Sequence, residues 1–441
     1  MRTLIHNAEI ITGVDNIVVK GWILIESDRI ADIGSGELPQ ADFVVDACGD
    51  LIMPGMIDTH VHFREPGLTH KADIASESGA AVAGGVTSYF DMPNCIPATT
   101  TLEAWEQKMQ IAKKVSHANY AFYIGATNTN FDKEILNADF TKIPGVKLFL
   151  GSSTGNLLVD SGDSLKKLFS GTTATISVHA EDNARISANA EELRKKYNGD
   201  FIPISMHPVI RDAKACVDSA KFAVSLAQET GAKLHILHVS TADEVELLRN
   251  LKKDNITAET CVQYLTFTSE DYSELGARIK CNPAIKSEGD KLALIQALKD
   301  GVIDLVASDH APHLLKEKVG DALSAPSGMP NMQFQLVQLL DLFTPVEVVK
   351  MVSVKPAEVF NIKDRGTLVK GAYADIVRVA KSQQQITDKK SLSKCGWTPA
   401  DGVISNFTVV TTWVNGKIAY DNQQISETIH SLPIEFIEKI R

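Results

Sequence analysis

The chain has 441 residues, of which 44% are hydrophobic and 22% charged, and its formal charge at neutral pH is −11. This length predicts one large domain and one smaller domain. The acidic balance, with no concentrated basic stretch, argues against a nucleic-acid partner, although a local arginine could still bind a small anion. No apolar run approaches the roughly 20 residues that span a bilayer, so we expect no membrane partner.

The N-terminus and the cysteines indicate a compartment. The N-terminal sequence MRTLIHNAEIITG lacks the apolar stretch and cleavage site of a signal peptide. The six cysteines are scattered without a CxxC pair, which argues against a disulfide framework and against a thiolate zinc site. We therefore expect a cytoplasmic protein.

The two ends of the chain share a β-rich texture. Residues 1–53 and 364–441 contain short apolar alternations punctuated by Gly, Asp and Asn, which is typical of strands and turns. The pair Asn415-Gly416 lies between two such runs and predicts a two-residue hairpin. We predict that both ends together form one composite small β-sandwich domain.

Residues 54–363 alternate strand-like and helix-like stretches, which predicts an α/β fold, a (β/α)8 TIM-type barrel. A doubly wound open sheet is the competing architecture, but no Gly-rich phosphate loop follows the first strand. The predicted strands are Met56 to Phe63, Val86 to Met92, Tyr120 to Ile124, Val146 to Leu150, Thr175 to His179, Lys233 to His238, Ala258 to Leu265 and Asp304 to Ser308.

Metal-capable side chains collect at the carboxyl ends of these strands, where barrel enzymes build their active sites. His60 and His62 end the first strand, with Val61 between them. Because side chains alternate along a strand, both imidazoles share one face and could bind the same metal ion. The alternative is a pair of ordinary polar residues at a strand end.

Lys147 lies within the fourth strand and shares a face with Phe149. A lysine inside a barrel is costly unless it is neutralised, paired or modified. One interpretation is a carbamate, formed with CO2, whose two oxygens could bridge two cations. The other is a lysine at the rim whose ammonium reaches solvent.

The later strands supply the remaining candidates. His179 ends the fifth strand, and His238 lies nearer the end of the sixth than His235, which alternation places on the opposite face. We therefore predict that His238 points into the site and that His235 faces outward against a helix. Asp309 ends the eighth strand and could both bind a metal and move a proton, while His313 follows on a loop where it could meet substrate.

With these residues in place, the whole chain resembles the cyclic amidohydrolases, the group that includes dihydroorotases, hydantoinases, dihydropyrimidinases and allantoinases. Four motifs are similar to those of dihydroorotases in particular. They are HVHFREPG at 60–67, DMPN at 91–94, CNPAIK at 281–286 and SDHAPH at 308–313. The stretch APSGMPNMQF at 325–334 follows the family's Pro/Gly-rich loop only loosely, so main-chain substrate contacts are not predicted there.

The resemblance implies a centre of two zinc ions per chain, bridged by a carboxylated lysine and a hydroxide. The implied ligands are His60, His62 and Asp309 for the more buried ion, His179 and His238 for the second, and Lys147 as the bridge. The implied substrate contacts are Arg64, Asn94 and His313 for a carboxylate, with Asn282 as a further contact.

Arg64 supports an anionic substrate on chemical grounds. It alternates with Val61 and Phe63, so it can face inward beside the histidines. A guanidinium fork matches a carboxylate, whereas hydantoinases and dihydropyrimidinases act on neutral rings. The alternative for Arg64 is a surface salt bridge.

The function implied by the resemblance is the reversible zinc-dependent hydrolysis of (S)-dihydroorotate to N-carbamoyl-L-aspartate in pyrimidine biosynthesis, with Asp309 as the catalytic base and acid. The alternatives are an allantoinase or a hydantoinase/dihydropyrimidinase and, in a different class, a catalytically inactive scaffold subunit of a pyrimidine-pathway assembly. The expected partner is a small-molecule substrate, and a homodimer is the expected assembly.

Overall fold

The computed structural model describes residues 1–150 and 157–437. Its two main bodies are a barrel and a separate mixed sheet, and a small two-stranded sheet accompanies them. Within the described residues, no helix is long and apolar enough to cross a membrane.

The strands are β1 (Arg2–Ile11), β2 (Val18–Glu26), β3 (Arg29–Gly34), β4 (Phe43–Asp46), β5 (Leu51–Pro54), β6 (Met56–Val61), β7 (Val86–Asp91), β8 (Asn119–Phe122), β9 (Ile124–Gly125), β10 (Val146–Phe149), β11 (Ile176–His179), β12 (Leu234–Ile236), β13 (Ile256–Cys261), β14 (Leu305–Ala307), β15 (Ile376–Ala380), β16 (Gln384–Gln385), β17 (Ile404–Ser405), β18 (Thr408–Val414), β19 (Lys417–Asp421) and β20 (Gln424–Ile425).

The α-helices are α1 (Ile74–Ala83), α2 (Leu102–Val115), α3 (Gly162–Gly171), α4 (Asn183–Lys196), α5 (His207–Ile210), α6 (Ala213–Thr230), α7 (Ala242–Leu251), α8 (Val262–Thr266), α9 (Tyr272–Leu275), α10 (Glu288–Lys299), α11 (Met332–Leu342), α12 (Pro345–Val349) and α13 (Lys355–Phe360). Short 3₁₀ or π turns cover Phe131–Ile135, Ile204–Met206, Ser269–Asp271, Gly276–Ile279, Leu315–Glu317, Lys350–Val354 and Asp388–Lys390.

Parallel strands β6 to β14 form the barrel. Only Tyr123 separates β8 from β9, so these two pieces act as one barrel strand. The ring closes where Val61 pairs with His310 and the His62 N–H donates to the His310 carbonyl at 2.7 Å. Every residue of β6 and β7 is buried, as expected for parallel strands covered on both faces. The (β/α)8 prediction is confirmed.

Capped helices follow the strands directly. The Asp182 side chain accepts from the backbone N–H groups of Ala184 and Arg185 and begins α4 three residues after β11 ends. Thr241 caps α7 in the same way after β12. Because a short side chain satisfies the free N–H groups at each helix start, the chain turns sharply at the carboxyl end of the strand.

One predicted strand is partly wrong. The run Ala258 to Leu265 was predicted as a single strand, but β13 ends at Cys261 and Val262–Thr266 forms α8. Both pieces are deeply buried, and a short apolar run has the same pattern in a buried strand and in a buried helical turn.

The chain ends build the separate sheet, in the order β20-β19-β18-β15-β5-β1-β2-β3, with β4 paired to β1. The predicted hairpin at Asn415-Gly416 is confirmed, because Val414 pairs with Lys417. Gly416 has φ +74°, and a Cβ there would lie 2.4 Å from the Ser27 carbonyl oxygen in the turn between β2 and β3. The two hairpin turns therefore meet, and the sheet folds over a shared core that includes Ile25 and Trp413.

The chain passes from the sheet to the barrel between β5 and β6 and returns to the sheet at β15. The domain boundaries at 53/54 and 363/364 stay predictions, and residues 438–441 lie outside the described residues.

A buried polar network joins the two bodies. Asp375 pairs with Arg365, accepts from the backbone N–H of Asn415 at 2.8 Å, and accepts from the Asn119 amide of β8 at 3.2 Å. The Asn415 amide also donates to the Asn119 side-chain oxygen at 2.8 Å. The two bonds to Asn119 form only while the barrel and the sheet remain docked.

We expect Asp375→Ala to lower the free energy of unfolding by about 3 to 5 kcal/mol, because it leaves the buried Arg365 charge without its partner. Urea denaturation followed by circular dichroism measures the change. Glu435→Ala, which removes an exposed ion pair with Lys363, is the matched control and should leave the midpoint unchanged. Equal midpoints for the two variants would contradict the role assigned to the buried Arg365–Asp375 pair.

Candidate active site

A cavity of about 350 Å³ opens at the carboxyl ends of the barrel strands. Its walls contain all the predicted site residues together with a few main-chain and apolar groups. The lining residues are His60, His62, Arg64, Asn94, Lys147, Phe149, His179, His238, Asn282, Asp309, Ala311, His313, Ser327 and Gly328. A second cavity, of about 320 Å³, lies beside Thr175 and Lys233 at the opposite end of the barrel. That end of a barrel ordinarily contributes to stability and not to catalysis.

Asp309 lies between His60, which is in β6, and His62, which follows directly after β6. Its Oδ1 is 3.3 Å from His60 Nε2 and 3.0 Å from His62 Nε2. The other ring nitrogens are engaged, since His60 Nδ1 is 2.6 Å from Glu259 and His62 Nδ1 is 2.7 Å from the Asn94 side-chain oxygen. These outer partners fix both rings with Nε2 toward Asp309, the arrangement that metal-binding histidines adopt.

A second pair of histidines lies across the same cavity. His179 Nε2 contacts Glu181 at 2.9 Å, and His179 Nδ1 is 2.8 Å from His238 Nε2. Burial lowers the pKa of both histidines, so both rings are neutral. One proton therefore lies between His179 Nδ1 and His238 Nε2. A metal ion could replace that proton and bind both nitrogens. The His60 and His238 rings are 5.4 Å apart, which brings the two clusters together.

Lys147 lines the cavity with these clusters and is 1% exposed. Its Nζ lies 4.5 Å from the centre of the Phe149 ring, so the predicted shared face is confirmed. Burial lowers the pKa of Lys147 to about 7, because the surroundings disfavour an ammonium ion more strongly than Asp309 and Glu259 stabilise it. A substantial neutral fraction of the amine is therefore present near neutral pH.

The donor set fits divalent transition metals. Imidazole nitrogens and a carboxylate are the ligands that zinc prefers after thiolates. His60, His62 and Asp309 offer ligand atoms that all lie within 4.8 Å of one another. The rings of His60 and His179 are oriented by hydrogen bonds to Glu259 and Glu181, which do not themselves line the cavity.

The prediction that His235 faces outward is wrong. It pairs in register with Ser177, which pairs with Lys147, so all three side chains face the barrel interior. His235 Nε2 lies 3.1 Å from Glu259, below His60. Alternation placed the two histidines on opposite faces, but β12 ends at Ile236 and His238 has φ +41°, so the turn redirects His238 into the cavity.

Sequence reasoning missed the acidic residues that orient the rings. Glu259 bonds both His60 and His235, and Glu181 bonds His179 and pairs with the Arg211 guanidinium. A charged residue in the middle of the buried run ITAETC was the available signal for Glu259. Arg211 left no such signal, because it reaches Glu181 from a loop 30 residues further along the chain.

We expect Glu259→Gln to weaken zinc binding by roughly 10- to 100-fold, because the amide is a poorer acceptor for His60 Nδ1–H and lowers the basicity of that ring. Competition with a chromogenic chelator gives the dissociation constant. Glu244→Gln is the matched control, since Glu244 is also buried but bonds Ser240 and Thr241 outside the cavity. Unchanged zinc affinity in Glu259→Gln would contradict the role assigned to Glu259.

Arg64 and His313 form the opposite, cationic side of the cavity. Arg64 Nε donates to the Pro312 carbonyl at 3.0 Å, and an Arg64 terminal nitrogen lies 3.2 Å from His313 Nε2. Lys71 Nζ lies 3.0 Å from His313 Nδ1, and the Ser327 carbonyl lies 3.1 Å from Nε2. Burial together with Arg64, Lys71 and Lys318 lowers the pKa of His313 to about 2, so the ring is neutral.

The tautomer of His313 follows from these contacts. Nδ1 accepts from the Lys71 ammonium, so the proton is on Nε2, where it is donated to the Ser327 carbonyl. The Nε2–H is thus bonded to the Ser327 carbonyl, and the Arg64 nitrogen 3.2 Å from Nε2 carries further N–H donors. A carboxylate bound here would accept from Arg64 and would replace the Ser327 carbonyl as the acceptor for His313.

The two asparagines add complementary groups. The Asn94 oxygen accepts from His62 Nδ1, which turns its NH2 group away from that ring. The Asn282 side-chain oxygen is buried and has no hydrogen-bond partner among the described residues. Such an acceptor is costly unless a ligand N–H reaches it.

The loop at 325–334 approaches the cavity although its sequence fits the family only loosely. Ser327 and Gly328 line the wall. The buried Lys318 ammonium donates to the carbonyls of Lys280 at 3.0 Å, Pro326 at 2.7 Å and Gly328 at 2.8 Å, which holds the loop against the segment before Asn282. Gly328 has φ +127°, and a Cβ there would lie 2.6 Å from the Ala311 carbonyl, so only glycine fits.

Three residues that line this cavity have a strained backbone. Arg64, His238 and Asp309 have φ values of +68°, +41° and +46°, a region that residues other than glycine rarely adopt. Strained backbone of this kind is typical of functional sites, where the surrounding structure holds a side chain in a required direction.

Comparison with known proteins shows the family of the chain. The chain matches the family model of the Amidohydrolase family over residues 51–419. It is 33% identical over 436 residues to a dihydroorotase of Methanosarcina mazei, covering 93% of each chain. It is 32% identical over 416 residues to an allantoinase of Bacillus velezensis, covering 91% of this chain and 90% of that protein.

The fold also has close counterparts among solved structures. An L-hydantoinase (dihydropyrimidinase) from Arthrobacter aurescens superposes with a TM-score of 0.92 at 24% identity, covering 98% of this chain and 99% of that one. At this identity the likeness shows the fold alone. The chain therefore belongs to the amidohydrolase family, as a metal-dependent hydrolase of cyclic amides that acts on a small-molecule substrate.

Proposed function

We propose that this enzyme is a dihydroorotase, which interconverts (S)-dihydroorotate and N-carbamoyl-L-aspartate in pyrimidine biosynthesis. The observation that carries the proposal is the Arg64 guanidinium, which lies beside His313 in a cavity that also holds the metal-capable cluster. A cyclic amide with a carboxylate substituent fits both features. Relatives with the name dihydroorotase, at 33% identity, support the same substrate.

An allantoinase is the second candidate, since the relative with that name is 32% identical. Allantoin and the rings of hydantoinases carry no carboxylate, so they offer no anion to pair with Arg64. Leaving the Arg64 charge without an anion in a partly buried site is costly. The cationic side of the cavity therefore favours dihydroorotate over the neutral rings.

We propose that two zinc ions bind here, one held by His60, His62 and Asp309 and the other by His179 and His238. When bound, they would supply water activated as a nucleophile and polarise the scissile carbonyl. The ring orientations imposed by Glu259, Asn94 and Glu181 support this assignment.

Lys147 is the proposed bridge between the ions, as a carbamate. The neutral amine attacks CO2, a C–N bond forms, and one proton is lost to solvent, which leaves an anionic group with two oxygens. The lowered pKa of Lys147, about 7 because of burial, supplies the neutral amine that this reaction needs. Carboxylation also gives the buried Lys147 side chain a negative charge, which suits a site for two divalent cations.

Asp309 is the proposed general base and acid. Burial raises the pKa of Asp309, but His60 and His62 lower it by more, so the carboxylate is ionised and can accept a proton from the attacking water. As the new C–O bond forms at the ring carbonyl, the ring C–N bond breaks and Asp309 returns the proton to the departing nitrogen. The same steps in reverse close the ring.

The substrate-binding residues place the ring. Arg64, His313 and the Asn94 NH2 group would hold the carboxylate, and the Asn282 oxygen would accept a ring N–H. Fixing the ring at two points holds the scissile carbon beside Asp309, which lowers the entropic part of the barrier.

We also propose a cytoplasmic location and a homodimer. The six cysteines are all free, which suits a reducing compartment. The side chains of Phe43 and Val44 on β4 are 56% and 59% exposed, and they offer an apolar surface to a second subunit. Sedimentation equilibrium tests the dimer.

The test of the function is a hydrolysis assay on zinc-loaded enzyme with dihydroorotate, with allantoin as the control substrate. We expect turnover of dihydroorotate, inert allantoin and about two zinc ions per chain. Turnover of allantoin but not of dihydroorotate would contradict the proposal and show that the enzyme is an allantoinase. Protein that binds no metal and turns over neither ring would favour the inactive scaffold.

Anomalous diffraction at the zinc edge tests the metal proposal separately. We expect two peaks, one beside Asp309 and one beside His179, with added density on Lys147 Nζ. A single peak beside an unmodified lysine would contradict the bridged pair.

A further inference from the structure

A segment of the small domain lies beside the active site. Between β15 and β18 the chain leaves the sheet, and residues 388–398, here called the rim segment, lie against the barrel. The Arg278 guanidinium donates to Asp388 and to the Thr398 carbonyl, both at 2.7 Å. The backbone N–H of Lys394 donates to Glu77 at 2.9 Å. The rim segment is therefore anchored at both ends and in the middle.

The rim segment contacts the loop that carries His313 through the indole of Trp397. Its Nε1–H donates to the His313 carbonyl at 2.7 Å. Trp397 is fully buried, so this hydrogen bond forms away from solvent, where an unmatched donor or acceptor is costly. The Arg278 guanidinium also lies 5.1 Å from the centre of the Trp397 ring, which restricts its orientation.

Two neighbouring carbonyls of this loop are held at once. Trp397 bonds the His313 carbonyl, and Arg64 Nε bonds the preceding carbonyl, that of Pro312. The same two residues, His313 and Arg64, supply the donors proposed to hold the substrate carboxylate. A shift of the loop by a few tenths of an ångström would therefore move both donors together.

We propose that Trp397 is a positioning residue for substrate binding, through which the small β domain sets the geometry of the carboxylate site. The inference rests on the proposed function and adds to it a residue that does not line the cavity. It assigns the small domain a part in substrate recognition as well as in stability. Trp397 acts through His313 and Arg64, and it touches neither the substrate nor the metal-capable cluster.

The test compares Trp397→Phe, which removes the N–H and keeps an aromatic ring, with Trp413→Phe as the matched control. Trp413 is another buried tryptophan of the small domain, and it lies in the core of the sheet. For Trp397→Phe we expect roughly a ten-fold rise in the KM for dihydroorotate, with kcat changed less than two-fold. Trp413→Phe should match wild-type kinetics even if both variants melt at lower temperature.

Two further readouts separate positioning from general damage. The dissociation constant of orotate, measured by calorimetry, should rise about ten-fold in Trp397→Phe, while zinc content and the slow turnover of 5,6-dihydrouracil, the same ring without a carboxylate, stay at wild-type values. Arg278→Met loosens the rim segment without altering Trp397, and it should raise the KM in the same direction. If Trp397→Phe does not fold, the KM of Arg278→Met tests the proposal in its place.

The outcomes distinguish this inference from the proposed function. Wild-type enzyme that neither turns over dihydroorotate nor binds orotate would overturn both. Wild-type enzyme that does both, with Trp397→Phe and Arg278→Met indistinguishable from Trp413→Phe in KM and in orotate binding, would overturn this inference alone. An equal loss of dihydroorotate and dihydrouracil turnover would also overturn it, because the effect would then not concern the carboxylate.

Discussion

Asp309→Asn should lower kcat for dihydroorotate by roughly 10²- to 10⁴-fold, the range over which general acid–base catalysis contributes. The amide keeps the shape of the side chain beside His60 and His62 but cannot take up the proton of the attacking water. Steady-state kinetics with zinc-saturated protein measures the loss, and zinc content measured on the same sample separates a lost base from a lost ligand.

Asp304→Asn is the control for that experiment. Asp304 immediately precedes β14, at the far end from Asp309, and bonds Lys252 and the Ala258 N–H outside the cavity. Its replacement should leave kcat within two-fold of wild type. An Asp309→Asn enzyme with full zinc and a kcat within ten-fold of wild type would remove Asp309 from the proton transfers.

Arg64→Met should lower kcat/KM for dihydroorotate roughly 30- to several-thousand-fold, because one member of a desolvated charge pair is lost. This loss corresponds to about 2 to 5 kcal/mol of transition-state stabilisation. Methionine keeps much of the apolar stem but offers no donor to a carboxylate. The slow hydrolysis of 5,6-dihydrouracil should not fall, because that ring has no group for Arg64 to bind.

Arg185→Met serves as the matched variant, because Arg185 pairs with Asp212 and does not line the cavity. It should affect neither substrate. If Arg64→Met lost both activities equally, Arg64 would support the fold of the site rather than recognise the carboxylate.

Strand periodicity predicted much of this site because its ligands are spaced along regular strands. His60 and His62 share a face through simple alternation, and Lys147 enters the barrel beside Phe149 for the same reason. Local rules likewise predicted the hairpin at Asn415-Gly416, where two residues suffice to specify the turn.

Periodicity failed where the backbone stops being regular. The orientation of His238 depends on a residue with positive φ just after β12, which no alternation rule describes, and the same limit reversed the prediction for His235. The helix α8 was missed because burial erases the difference between strand and helix patterns.

Contacts between distant parts of the chain were also beyond prediction. Glu259 meets His60 across 199 residues, and Trp397 meets His313 across 84. Neither partner is implied by local pattern, since each contact exists only once the barrel has closed and the small domain has docked. The groups that orient the site therefore had to be read from the structure.

The most direct test of the central claim, that the cavity recognises a cyclic amide by its carboxylate, is the ratio of kcat/KM for dihydroorotate to that for 5,6-dihydrouracil in the wild-type enzyme. We predict a ratio of roughly 10² or more in favour of dihydroorotate, because the ring without a carboxylate leaves the Arg64 guanidinium without an anion. A ratio near one, or a preference for dihydrouracil, would contradict the account and place the enzyme among the hydrolases of neutral rings.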